Sequence, residues 1–150
     1  MSPKDEGADG MALVFQPNRN VLVSEGEGLG YLGLDPSIAI EFDTYQNEVL
    51  NDPVEDHVAI RTNGSVVHTA GDYVEVKNLE DGKYHSLLFE WNAEKQSFSL
   101  WLDGKQLFKE KTVPENSLKE QDVYFGFTSA TGQLSNLHKV RRISTSRLKK

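Results

Sequence analysis

Within the seventeen residues EFDTYQNEVLNDPVEDH, the chain gathers Glu41, Asp43, Asn47, Asp52 and His57. The first half alternates like a strand, with Phe42 and Thr44 on one face and Glu41, Asp43 and Tyr45 on the other. Residues i and i+2 of a strand share a face roughly 7 Å apart, so Glu41 and Asp43 can chelate one ion or bridge two. The following loop adds the Asn47 amide oxygen, the Tyr45 backbone carbonyl and the Asp52 carboxylate, a set that suits a flexible all-oxygen calcium shell. His57 supplies an imidazole, which calcium does not prefer but manganese or zinc accepts. Two ligand types in one loop suggest two adjacent cations sharing Asp43 and Asp52. A solvated acidic loop with a structural His57 is the plain alternative, and spacing alone leaves it open.

The same carboxylates admit a catalytic reading. A retaining glycosidase needs two carboxyls about 5–5.5 Å apart, which two same-face strand residues approach. Glucanases that place such carboxylates on a strand usually carry E-x-D followed shortly by another Glu as the acid. Here Thr44, Tyr45, Gln46 and Asn47 follow, and Glu48 lies off the strand. No acid stands in position, so a glycoside hydrolase is the weaker reading.

The elements that position these residues have a period of two, not 3.6. Expected strands are Met11–Gln16, Ser37–Tyr45, His57–Arg61, Ser65–Thr69, Tyr73–Val76, Tyr84–Asn92, Ser97–Leu102, Lys105–Phe108 and Asp122–Thr128. Asn63-Gly64 and Asp103-Gly104 read as two-residue hairpin turns, in which both residues can take positive φ. Many short strands separated by turn chemistry predict an all-β antiparallel sandwich. Val113–Gln121 is the one helix-tolerant segment and reads as a surface loop.

A chain of 150 residues fits one domain. It has no cysteine, so disulfides and thiolate metal sites are excluded. No apolar run of about eighteen residues exists to insert in a membrane. The net charge of −7 hides an asymmetry: the first 138 residues hold 10 basic against 23 acidic side chains, while all six charges after them are positive. Such a body repels nucleic acid and favours cations or neutral ligands. Residues 1–7 read as a leader or a disordered segment and 145–150 as a disordered basic tail, leaving 8–144 as the domain.

The blocks GADGMALVF, GLGYLGL, SIAIEFDTYQN, NDPVEDHVAI and GFTSATGQLSNLHKV stand in the order expected of an L-type (legume-type) lectin domain, which the chain resembles from Ala8 to about Ser144. GADGMALVFQ looks closer to bacterial members than to seed lectins. The resemblance implies a concanavalin A-like jelly-roll sandwich of two antiparallel sheets that binds sugar without chemistry. Family domains begin well upstream of the A-D-G loop, so N-terminal strands are expected to be missing. It further implies a calcium-dependent, non-catalytic domain of a secreted or surface adhesion protein, located outside the cell, with glycans or glycoproteins as partners. A calcium-stabilised protein-interaction module of the same fold is the competing reading.

Carried over by position, the resemblance assigns Glu41, Asp43, Asp52 and His57 to manganese or another transition metal. It assigns Asp43, the Tyr45 carbonyl, Asn47 and Asp52 to calcium. It makes Asp9 the acceptor for two sugar hydroxyls, after an Ala8–Asp9 bond that is often cis in such lectins. Gly30 offers its N–H, Asn47 its amide NH2, Tyr45 its ring, and Gln133 and Leu134 their backbone N–H groups. His68 is expected to be exposed on a hairpin arm, His85 to make a hydrogen bond, and His138 to pack. Trp91 and Trp101 read as core or sheet-face aromatics, Asn63-Gly64-Ser65 is a glycosylation sequon, and Arg141–Ser144 stands where a final strand is expected.

Overall fold

A computed structural model describes residues 7–18, 24–69, 71–114, 118 and 122–147. Eight strands are seen among these residues: β1 (Gly10–Gln16), β2 (Ile38–Asp43), β3 (His57–Thr62), β4 (Tyr73–Glu75), β5 (Leu87–Asn92), β6 (Ser97–Leu102), β7 (Lys105–Thr112) and β8 (Tyr124–Ala130). They form two antiparallel sheets, β4-β3-β2-β1-β8 and β5-β6-β7. This is the expected two-sheet sandwich.

The larger sheet is buried on both faces, which explains why β1 to β3 carry so few exposed polar positions. One face presents Leu13, Ile38, Ile40, Val58 and Ile60, which pack with Phe98, Leu100, Leu102 and Phe108 of the smaller sheet. The other presents Ala12, Val14 and Ala39 beneath Leu29, Tyr31, Leu34, Leu50 and Val66 from covering loops. Alternation places Glu41, Asp43, His57 and Arg61 on this second face, and all four are buried. A Cβ at Gly10 would lie 2.3 Å from the Phe42 carbonyl oxygen, so only glycine lets β1 begin this close to Asp43, its ladder partner.

One expected strand does not form. Asn63 and Gly64 take positive φ, 55° and 67°, as a tight turn requires. Yet Ser65–Thr69 does not return as a hairpin arm, and β4 pairs with β3 instead. Arg61 is the physical reason. Its guanidinium donates to the Ser65 carbonyl at 3.2 Å and to the Val67 carbonyl, taking acceptors that a ladder would use. The segment therefore crosses the covered face, and the His68 N–H donates to the Leu50 carbonyl at 2.8 Å.

Asp103 and Gly104 both take positive φ and join β6 to β7 as expected. β7 runs four residues beyond Phe108, its register shifted opposite Phe98 to Trp101, with the Glu110 N–H bonded to the Ser99 hydroxyl. β8 starts and ends two residues later than expected. Arg141–Ser144 forms no strand; the Arg141 guanidinium lies 3.5 Å over the Tyr84 ring. His85 binds the Asp103 carboxylate at 2.7 Å. Residues 1–6, 115–117, 119–121 and 148–150 lie outside the described set, and with them most of the leader and of the Val113–Gln121 loop, and half of the basic tail.

Candidate functional site

Asp9 sits just before β1, after a cis Ala8–Asp9 peptide bond. Its N–H donates to the Ala130 carbonyl at 3.1 Å, and its own carbonyl accepts the Thr44 N–H at 3.0 Å and the Thr44 hydroxyl at 3.2 Å. The backbone thus pins Asp9 between the end of β8 and the exit of β2. Its side chain is buried, and its Oδ2 has no hydrogen-bond partner. Burial, and then the Glu27 charge, hold this carboxyl above its usual range. A Cβ built on Gly132 would come 3.5 Å from Oδ2 and one on Gly26 3.9 Å, so the loops bearing both glycines converge on that oxygen.

Gly30 has φ 76°, and a Cβ there would meet Thr128 of β8 at 2.9 Å. Its successor Tyr31 is fully buried, with its hydroxyl donating to the Ser65 carbonyl at 3.3 Å. Tyr45 is 40% exposed beside the buried carboxylates, an accessible ring rather than a core one. Gln133 and Leu134 lie exposed in the loop after β8, where the Gly132 N–H donates to the Leu134 carbonyl at 3.2 Å. The structure therefore brings Asp9, Gly132 and the Gly26–Gly30 loop to the end of the sheet from which Tyr45 and Asn47 leave.

The loop after β2 is folded by its own carboxylates. Asp43 Oδ1 accepts the Tyr45 N–H at 2.8 Å, and Asp52 Oδ2 accepts the Asn47 N–H at 2.8 Å. Asp52 Oδ1 and Asn47 Oδ1 are buried with no partner, as is Glu41 Oε2. Buried oxygens are rarely left so, and an oxygen-seeking cation would satisfy them. The residues fit calcium at Asp43, Tyr45, Asn47 and Asp52, and a transition metal beside Glu41, Asp52 and His57.

His68 corrects an expectation. It is 2% exposed, not on an open arm, because the detour held by Arg61 carries it beneath the loops. Its Nε2 lies 3.3 Å from His57 Nε2, 3.4 Å from Asp52 Oδ1 and 3.6 Å from Glu41 Oε2. Arg61 Nε stands 4.0 Å from Glu41 Oε2, and Arg61 Nη1 binds Asp72 at 2.7 Å. Arg61, His68 and Asp72 escaped the sequence reading. A charged Arg61 in phase with His57 and Ala59 on a buried face was the available signal.

Burial pushes Glu41 up to about 8 even with Arg61 opposing, pushes Asp43 up to about 9 with Glu41 adding to it, and lifts Asp52 to about 6. Burial also lowers His57 and His68 to about 4, helped by His68 and Arg61 respectively. Without metal, the folded chain therefore holds carboxyl protons that the unfolded chain has released, and stability falls as pH rises through this range. The imidazoles oppose this only between about 4 and 6.5. Above that, Glu41 and Asp43 act alone. In chelator the melting temperature is expected to decline from about pH 6.5 to 9, and calcium should flatten the decline. Thermal scans in both buffers measure it; a rise in chelator would contradict the raised carboxyls.

A family model described as the legume lectin beta-barrel domain matches residues 1–144. The chain is 30% identical over 159 residues to the L-type lectin-domain containing receptor kinase V.9 of Arabidopsis thaliana, an alignment covering 86% of this chain. It is 27% identical to the rice receptor kinase S.7, with 95% covered. The chain spans 23% of the length of each of these relatives. Its fold is similar to a Bauhinia forficata lectin solved with GalNAc, at TM-score 0.71 and 21% identity, covering 88% of this chain and 62% of that one. A basic winged bean lectin solved with Tn-antigen gives 0.69 at 26% identity, covering 87% and 55%. These matches are plant proteins and lend no support to the bacterial flavour of GADGMALVFQ. With the family match spanning nearly the whole chain and the two-sheet fold in agreement, the chain belongs to the L-type lectin domain family.

Proposed function

We propose that this is a calcium-dependent, non-catalytic carbohydrate-binding domain of a larger secreted or cell-surface adhesion protein, spanning about residues 8–144. One observation carries the reading: the buried, unpartnered Asp9 Oδ2, toward which the loops of Gly26 and Gly132 converge. An anionic acceptor recessed under loops is suited to two vicinal hydroxyls, because charge-assisted bonds are about twice as strong as neutral ones. In this reading Asp9 accepts the hydroxyls, while Gly30 N–H, the Asn47 NH2 and the N–H groups of Gln133 and Leu134 donate. The exposed Tyr45 ring packs against the sugar's C–H face.

Calcium, when bound, supplies fixed positive charge at Asp43, the Tyr45 carbonyl, Asn47 and Asp52. Asn47 would then give its oxygen to the ion and its NH2 to the sugar, so the ion orients a sugar-binding group. Glu41, Asp43, Asp52 and His57 would hold manganese or another transition metal. Carbohydrate-bound lectins among the similar folds support glycans or glycoproteins as partners. The receptor-kinase relatives support a place outside the cell or on its surface, and no helix among the described residues is long and apolar enough to cross a membrane. The lack of a carboxylate at Thr44 to Asn47 supports binding without hydrolysis.

A glycan array probed in calcium and again in chelator tests this. Binding is expected in calcium and lost in chelator. A protein that is folded in calcium yet binds no glycan would favour the calcium-stabilised protein-interaction module of the same fold.

A further inference from the structure

We propose that His68 converts the buried cluster of Glu41, Asp52 and His57 into a two-imidazole site that takes zinc or cobalt in preference to manganese. The inference rests on the reading above that this cluster holds a cation, and concerns which cation and which residue decides it.

Hydrogen-bond donors are scarce around His68 Nε2. His57 Nε2, Asp52 Oδ1 and Glu41 Oε2 surround His68 Nε2 at 3.3, 3.4 and 3.6 Å, and neither oxygen has a hydrogen-bond partner, the Arg61 Nε lying 4.0 Å from Glu41 Oε2. A neutral imidazole offers one N–H. If His68 Nε2 carries it, that proton can satisfy one of the three acceptors. If it does not, its own lone pair faces these atoms, and the contact needs a proton from the His57 ring or from a carboxyl. Both rings are buried, so water does not relieve the conflict. A single divalent cation among these atoms satisfies them together.

Two of the separations around His68 Nε2 match those of a small tetrahedral ion. Two ligand atoms each about 2.0–2.1 Å from such an ion lie about 3.3–3.4 Å apart. The His68–His57 and His68–Asp52 separations, 3.3 and 3.4 Å, have that length. Asp52, His57 and His68 each offer one ligand atom within 4.8 Å of the others. Glu41 Oε2 stands ready as a fourth.

The far side of His68 is prepared as well. Its unpartnered Nδ1 faces the unpartnered Asp72 Oδ1 at 3.8 Å. Asp72 is fixed by Arg61 at 2.7 Å and by the Thr69 hydroxyl at 2.7 Å. A carboxylate behind a ligating histidine fixes the tautomer that turns the Nε2 lone pair toward the metal. Arg61 adds one positive charge near the cluster, but Asp72, Ser65 and Val67 engage its guanidinium.

The selectivity follows from ligand chemistry. Carboxylate-rich shells suit manganese, whereas imidazole suits zinc and its neighbours, whose affinities already lie above manganese in the divalent series. A second imidazole widens that gap.

The test uses the full chain saturated with calcium. Titrations with zinc chloride and manganese chloride, followed by competition against a coloured chelator, should show zinc bound at least about a hundredfold more tightly. Cobalt chloride added to the unaltered protein should give the strong visible absorption of four-coordinate cobalt. His68→Ser should weaken zinc by more than about a hundredfold, beyond the 10–100-fold expected of the supporting Asp72→Asn, and should leave manganese affinity within a few-fold. Equal zinc and manganese affinities, six-coordinate cobalt, or zinc binding unchanged in His68→Ser would each overturn the proposal. Calcium-dependent melting and glycan binding are read separately, so the lectin reading stands or falls independently.

Discussion

Removing calcium is expected to lower the melting temperature by about 8 °C. The loop from Asp43 to Asp52 concentrates Asp43, Asp52 and, next to them, Glu41, all nearly inaccessible to solvent. Burying several carboxyls costs stability whether they stay charged or take protons. The upward displacement of Glu41 to about 8 and Asp43 to about 9 expresses that cost. A cation that binds only the folded chain stabilises it by roughly 2.7 kcal/mol at a hundredfold excess over its Kd. For a domain of this size, each kcal/mol shifts the midpoint by about 2–4 °C. Differential scanning calorimetry with calcium and with chelator measures the shift. An unchanged midpoint would remove calcium from the account.

The part of this arrangement legible in the sequence is the part governed by local periodicity. Glu41 and Asp43 declare themselves by sharing a strand face, and Asp52 and His57 by following within one loop. The turn at Asp103-Gly104 declares itself by residues that tolerate positive φ. Arg61, His68 and Asp72 are another matter. Ser65–Thr69 alternates well enough to read as a strand, and only a long side chain reaching from β3 to its carbonyls prevents it. That contact joins residues four and six apart through a guanidinium rather than a backbone ladder. Once the segment leaves the sheet, His68 moves from an expected surface into a buried polar cluster. β7 runs past its expected end for a similar reason. The bulge with the Ser99–Glu110 bond carries the strand past the point where its alternation breaks.

Asp9→Ala is expected to abolish glycan binding while leaving the melting temperature in calcium nearly unchanged. The fold around Asp9 is held by its backbone, through Ala130 and Thr44, and an alanine keeps those bonds. The side chain itself contributes an unpartnered buried Oδ2 and a carboxyl raised by burial, so deleting it relieves a cost rather than breaking a contact. Binding is different. A charge-assisted hydrogen bond contributes about 1.5–3 kcal/mol, and Asp9 is proposed to accept two. At a Kd near millimolar the whole binding free energy is only about 4 kcal/mol, so their loss leaves nothing measurable. Asn47→Ala should separate the roles further. Its Oδ1 is buried without a partner and proposed for calcium, so that variant should lose both thermal stability and glycan affinity. Paired measurements of melting temperature and glycan binding on both variants decide the assignment. If Asp9→Ala binds glycans like the parent, the pocket under the Gly26 and Gly132 loops is not the sugar site.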